Sequence, residues 1–217
     1  MRSLRGVVGL VVLTAATSGC LRKETIHTLY LSPGGELEWQ VEESGVRSDA
    51  EGDTGRLEEE RGYILPALIG GHPVALGLQE LRPEIPVRTV VLREEVPFHV
   101  VTTARFSRVE STFQRLFAAC GLEASVTLDT EADVTRLRMR FDFRKPVEPR
   151  EASALTLLQD LGDFRFVLGE GRFIAGGGFE VQDRTRAVLS EEAVAALSAA
   201  MDAREPFELV LAWSVTR

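Results

Sequence analysis

Cysteine, histidine and long apolar runs are all scarce in this chain of 217 residues. Its two cysteines are Cys20 and Cys120. With Cys20 set aside, the remaining thiol cannot close an internal disulfide. Cys120 lies in Phe117-Ala118-Ala119-Cys120-Gly121, on the apolar face of a predicted helix, where a thiol behaves as a small hydrophobe. The three histidines, His27, His72 and His99, are far apart, and none has a second histidine four residues away. HExxH, paired CxxC, P-loop, GxSxG and dinucleotide fingerprints are all missing. The expectation is therefore no metal and no cofactor. The longest apolar stretch, Gly6 to Gly19, has 14 residues. A membrane-spanning helix needs roughly 20.

Two near-motifs fail on chemistry. Asp129-Thr130-Glu131-Ala132-Asp133 alternates acids as a calcium loop does, but Val134 stands where the turn needs Gly and Arg140 where it needs a bidentate Glu. A solvated hairpin turn is expected instead. Gly176-Gly177-Gly178 precedes strand-like Phe179-Glu180-Val181 and not a helix N-terminus, so it reads as a bulge or a close backbone approach.

What the chain does have begins at its first residues. Arg2 and Arg5 are followed by the short apolar run and then by Thr17-Ser18-Gly19-Cys20. A basic start, a short apolar segment and small residues before a cut site describe an export signal. The Ser18-Gly19-Cys20 ending resembles the lipobox of bacterial lipoproteins, with Thr17 where Leu is usual. The resemblance implies a signal peptide over residues 1–19 and acylation of Cys20, palmitate included, as the new N-terminus. It also implies a partner, the membrane reached through lipidated Cys20. Leu21 is not the Asp that retains such proteins in the inner membrane, so the implied address is the outer membrane, facing the periplasm. Residues 20–25 read as a short tether, since a strand pattern begins at Ile26.

Beyond residue 19 the chain carries 23 basic and 33 acidic side chains, a formal charge of −10. That balance lacks the basic footprint nucleic acid requires. Residues 26–217 read as a single α+β domain, with a subdomain boundary at 144–150, where Pro146 and Pro149 interrupt the chain. The pattern is mainly an antiparallel sheet of hairpins with three to four helices packed on it. Ile26–Leu31 and Glu36–Val41 form the first hairpin around Ser32-Pro33-Gly34-Gly35. Ser44–Gly55 reads as a loop, Arg56–Ile64 as a helix ended or kinked by Pro66, and Val87–Leu92 and Phe98–Phe106 as strands. Ser107-Arg108-Val109-Glu110 has the form of a capping box opening a helix to Cys120. Glu123–Asp129 and Val134–Phe143 form a second hairpin, with Val126 opposite Leu137. Ala152–Leu161 reads as a short helix, and Phe164–Leu168 with Arg172–Gln182 as a third hairpin. Ser190 caps a helix to Ala203, and Phe207–Val215 closes the chain.

One positive feature has shape. Arg136, Arg138 and Arg140 alternate, so they share one face of a strand, continued by Arg144. Against the net negative charge they suggest an anion- or partner-facing stripe, or else pairs with acids across the sheet. These signals favour a membrane-anchored envelope lipoprotein that binds or assembles with an envelope partner without catalysis. Two alternatives stand: an envelope-polymer hydrolase or lyase using carboxylates such as Glu94 with Glu95 or Glu58 with Glu59, and a small-ligand-binding lipoprotein.

Overall fold

The computed structural model describes residues 21–144, Leu157 and residues 164–215. Cys20, the signal over 1–19, most of the boundary at 144–150 and, Leu157 apart, the helix expected over 152–161 lie outside them. Among the described residues four helices and eleven strands form an α+β fold with two mostly antiparallel sheets. The strands are β1 (Leu21–Leu31), β2 (Leu37–Ser48), β3 (Arg88–Arg93), β4 (Phe98–Phe106), β5 (Ala124–Glu131), β6 (Val134–Asp142), β7 (Phe164–Leu168), β8 (Arg172–Ile174), β9 (Phe179–Asp183), β10 (Arg186–Leu189) and β11 (Pro206–Ser214). The helices are α1 (Asp53–Ile69), α2 (Pro73–Glu80), α3 (Val109–Ala119) and α4 (Glu191–Ala203). The larger sheet runs β3-β4-β2-β1-β7-β10-β9, and the smaller runs β5-β6-β11-β8. Only the β1–β7 pair among them is parallel.

Period-two alternation selects the inward face of each strand. Leu29 and Leu31 on β1, Leu37, Trp39 and Val41 on β2, and Ala104 and Phe106 on β4 are buried on the larger sheet. Leu137, Met139 and Phe141 on β6 and Leu209, Leu211 and Trp213 on β11 are buried on the smaller. Helix α3 joins the two. Its Phe113 stacks on Trp39 at 6.1 Å, and its Phe117 meets Phe141 edge-on at 4.9 Å. Val109, Phe113, Leu116, Phe117 and Cys120 fall on one helical face and are buried.

Several expectations are corrected. Strand β1 begins at Leu21 and not at Ile26, so residues 21–25 are sheet and not tether. Strand β2 runs to Ser48, through the stretch read as loop, because Gly45 takes φ +64° at a bulge that opens between Glu43 and Val46. Helix α1 runs through Pro66 to Ile69. A helical proline forfeits one backbone bond. Here its own carbonyl accepts from Gly71 at 2.8 Å, so the far end of the helix is still closed. Helix α2 was not expected. Arg108, not Ser107, is the N-cap of α3, with no side-chain cap; the Val109 amide instead donates to Gly35 O at 2.8 Å, since the helix docks on the β1–β2 turn. The β5–β6 hairpin is shifted by two residues, with Val126 opposite Met139, which keeps the same faces inward.

The third hairpin does not form. β7 pairs with β1 and β10, while β8 crosses to the smaller sheet beside β11. Gly176–Gly178 turns the chain from one sheet to the other, and the close backbone approach expected of the glycine run is found there. A Cβ on Gly177 would stand 2.1 Å from Val210 O, and the Val210 amide donates to Gly177 O at 2.8 Å. Ser190 caps α4 as expected, its hydroxyl accepting from the Ala193 amide at 3.1 Å.

Candidate functional site: a buried carboxylate beneath a basic cleft

Inward alternation along β2 carries Leu37, Trp39 and Val41 into the core, and the next inward residue is Glu43, only 1% exposed. A carboxylate taken that far out of water must be paired or it destabilises the fold. Glu43 gathers three partners from three segments. Lys23, in phase with the inward Thr25 and His27 of β1 and a third exposed, reaches Glu43 Oε1 as an ion pair where the β1–β2 pairing slips between Arg22 and Glu24. Tyr63, on the inner face of α1, donates its hydroxyl to Glu43 Oε2 at 3.2 Å. The Gly70-Gly71 reversal brings His72 back to the sheet, and its Nε2 stands 3.3 Å from the same oxygen.

That last approach is a close contact without hydrogen-bond geometry, and both ring nitrogens of His72 lack a hydrogen-bond partner. Burial holds the His72 imidazole below its usual pKa; Glu43 pulls the other way, and Lys23 adds to the lowering. Burial, then the Glu43 charge and hydrogen bond, push the Tyr63 phenol above its usual range. Tyr63 packs edge-on against the His72 ring at 5.1 Å and stacks on Phe98 at 6.2 Å, so apolar surface closes the cluster.

Above it opens a cleft of about 390 Å³ lined by Arg22, Lys23, Glu24, Ser44, Gly45, Arg47 and Pro97. It lies at the N-terminal end of β1. Arg22 and Arg47 are direct cross-strand neighbours, an arrangement that is destabilising unless an anion offsets it. Asp49 takes Arg22 at 3.0 Å. Of the four cluster residues only Lys23 also lines the cleft. Glu43, His72 and Tyr63 have the residue types of a proton-transfer site, but they face the interior. Among the described residues no group of three metal-ligating side chains converges.

The arginines singled out from sequence lie on and just after β6. Arg136 is 3.7 Å from Glu131, Arg138 is 3.8 Å from Asp129, Arg140 is 3.6 Å from Glu208, and Arg144 grips Asp142 through Nε at 2.8 Å. Each thus has an acid beside it, and the stripe is remote in sequence and sheet from the Glu43 cluster. Glu94 and Glu95 are exposed in the β3–β4 turn, and Glu58 is exposed on α1. Glu59 instead accepts a hydrogen bond from Ser48. His27 is a core residue, accepting from Trp39 Nε1 at 3.1 Å and stacking on Phe164 at 4.5 Å. His99 pairs with Glu42 at 2.8 Å on the outer face. Sequence reasoning missed the Glu43 cluster, although an acid at the inward phase after Val41 was the available signal.

No protein-family model and no curated protein matches the chain. Among solved structures it is similar to the folded domain of LppM from Mycobacterium tuberculosis, determined by NMR. The identity is 8%, the match covers 92% of this chain and 93% of that chain, and the TM-score is 0.37. A score at that level does not establish a common fold.

Proposed function

We propose that this chain is a lipid-anchored lipoprotein of the bacterial cell envelope, with a folded domain that binds an envelope component at the membrane surface. The observation that carries the reading is the join between signal and fold. Leu21, the residue after the Gly19-Cys20 ending, is already paired with Ser48 in strand β1, so no tether separates the proposed acylation site from the fold. Acyl chains contribute about 0.8 kcal/mol per buried methylene, and two or three of them hold a protein stably on a bilayer. The domain is then held against the headgroups, with the Arg22, Lys23 and Arg47 cleft beside them. Among the described residues no helix is long and apolar enough to cross a membrane. With Leu21 after the cysteine, the outer membrane facing the periplasm is the proposed address.

The binding role rests on the cleft. Arg47 has no acidic partner among the described residues, while the Arg22 side chain stays two-thirds exposed beside Asp49. An anionic group on an envelope partner would complete that pairing. The test is metabolic palmitate labelling with membrane fractionation. Wild-type protein should take up label and sediment with outer membranes, and Cys20→Ser should lose the label. Unchanged labelling of Cys20→Ser would sink the anchor. In-membrane cross-linking from a probe at Arg47 tests the partner, and recovery of nothing beyond abundant lipoproteins would sink the binding role.

A further inference from the structure

From Gly62 to Leu78 no aspartate, glutamate, lysine or arginine occurs, and the one histidine, His72, is buried. Within that stretch α1 turns Tyr63 and Ala67 inward. Leu65, Leu68 and Ile69 fall on the opposite face, 53%, 55% and 80% exposed. Leu57, half exposed two turns earlier, continues that face toward an acidic first half that holds Glu58, Glu59 and Glu60. A helical face of exposed large aliphatic side chains, in a stretch with no charged residue, suits burial against an apolar phase.

Where the chain enters the domain identifies that phase. Leu21, the first residue of β1, packs in the same small apolar cluster as Tyr63, Ala67 and Ile64 of α1. The helix therefore covers the strand end that follows residue 20, with no intervening segment to hold it away. We propose that the C-terminal half of α1 is an interfacial helix that lays Leu65, Leu68 and Ile69 into the lipid surface, fixing the domain's orientation beside the acyl chains of Cys20. The placement rests on the anchor reading above. It gives Leu65, Leu68 and Ile69, exposed in the isolated domain, an apolar surface that covers them.

The test uses the full acylated chain in vesicles of phosphatidylethanolamine and phosphatidylglycerol. An environment-sensitive fluorophore is placed at Ile69→Cys, Cys120 being buried, and in a second sample at Glu170→Cys. Glu170 follows Gly169, whose amide bonds Leu31 O at the other end of β1, some ten residues or about 33 Å from Leu21. Quenching by nitroxide-bearing lipids should be at least fivefold stronger at position 69 than at 170. Leu65→Glu with Leu68→Glu should abolish the difference while palmitate labelling and far-ultraviolet circular dichroism stay unchanged. Equal quenching at the two sites in a palmitate-labelled protein overturns the helix placement alone. So does a probe at 69 that is shielded from aqueous iodide but not quenched by lipid, which would mean a protein covers the face. A chain that takes up no palmitate overturns the anchor reading, and the placement with it.

Discussion

Tyr63 Oη and Nε2 of His72 converge on one oxygen of Glu43, at 3.2 and 3.3 Å, while Lys23 takes the other. The buried carboxylate thereby ties β1, β2, α1 and the α1–α2 turn together at one point. Deleting one partner leaves polar atoms without bonds in the interior. Tyr63→Phe should cost about 1–3 kcal/mol in denaturant unfolding. Lys23→Met should cost about 3 kcal/mol or more, because it strands the carboxylate. Lys23→Met combined with Glu43→Leu should recover most of that loss. Strictly additive costs in the double variant would show that the pair is not coupled.

The two buried histidines set an acid limit on stability. Burial, with Lys23 adding to it, lowers the His27 pKa to about 4 from 6.5. The folded state thus keeps His27 neutral where the unfolded chain already binds a proton. Its contribution is full above pH 6.5 and is lost as pH falls toward 4. Complete loss corresponds to on the order of 3 kcal/mol. His72 is shifted in the same direction and adds to the trend. Melting temperature measured from pH 7 to pH 4 should fall, and His27→Gln, which retains an acceptor for Trp39 Nε1, should flatten the slope. An unchanged slope in that variant would remove His27 from the account.

The glycine corner between the sheets should be intolerant where the glycine bulge is not. Gly177→Ala combines φ +65° with a Cβ 2.1 Å from Val210 O. Strain and overpacking together should cost roughly 2–5 kcal/mol. Gly45→Ala has φ +64° but nothing within 4 Å. Left-handed strain alone predicts about 1–2 kcal/mol there. Similar losses at both positions by chemical denaturation would contradict the packing argument at Val210.

Alternation and helical periodicity made much of this fold legible. Phe98–Phe106, Phe164–Leu168 and the buried face of α3 follow from them directly. Turn chemistry was less reliable wherever tertiary pairing overrode it. Gly45 became a bulge inside β2 because β4 and β1 offered backbone partners on both sides. Gly169-Glu170-Gly171 did not close a hairpin, because β7 found β1, more than 130 positions earlier in the chain. The Glu43 cluster was hidden for the same reason. Lys23, Glu43, Tyr63 and His72 share no local spacing, and only the sheet register and the α1–α2 reversal bring them together.

The arginine stripe makes a modest prediction. Each of Arg136, Arg138 and Arg140 has an acid within 4 Å, yet their side chains stay a third to two-thirds exposed. Exposed pairs contribute about 0–1 kcal/mol and are screened by salt. Single alanine variants should therefore fold with nearly wild-type stability, which frees them for binding assays. A loss of envelope cross-links in Arg138→Ala at unchanged melting temperature would assign the stripe to a partner; unchanged cross-links would leave it to the sheet.

Cys120 should be inert in the folded domain, which matters because thiol chemistry is the handle for testing Cys20. It sits at the end of α3, 5% exposed among Leu116, Phe117 and the core of the two sheets. Burial, and then the negative charge of Glu80, push its pKa up to about 11. The attacking species is the thiolate, so both access and ionisation oppose reaction. Alkylation of Cys20→Ser protein by iodoacetamide at pH 8 should be slow under native conditions and should accelerate at least a hundredfold in denaturant. Because opening must precede reaction, the native rate should track global stability, so Tyr63→Phe should raise it. A fast native rate that is insensitive to Tyr63→Phe would mean that Cys120 is exposed by local opening of the α3 terminus.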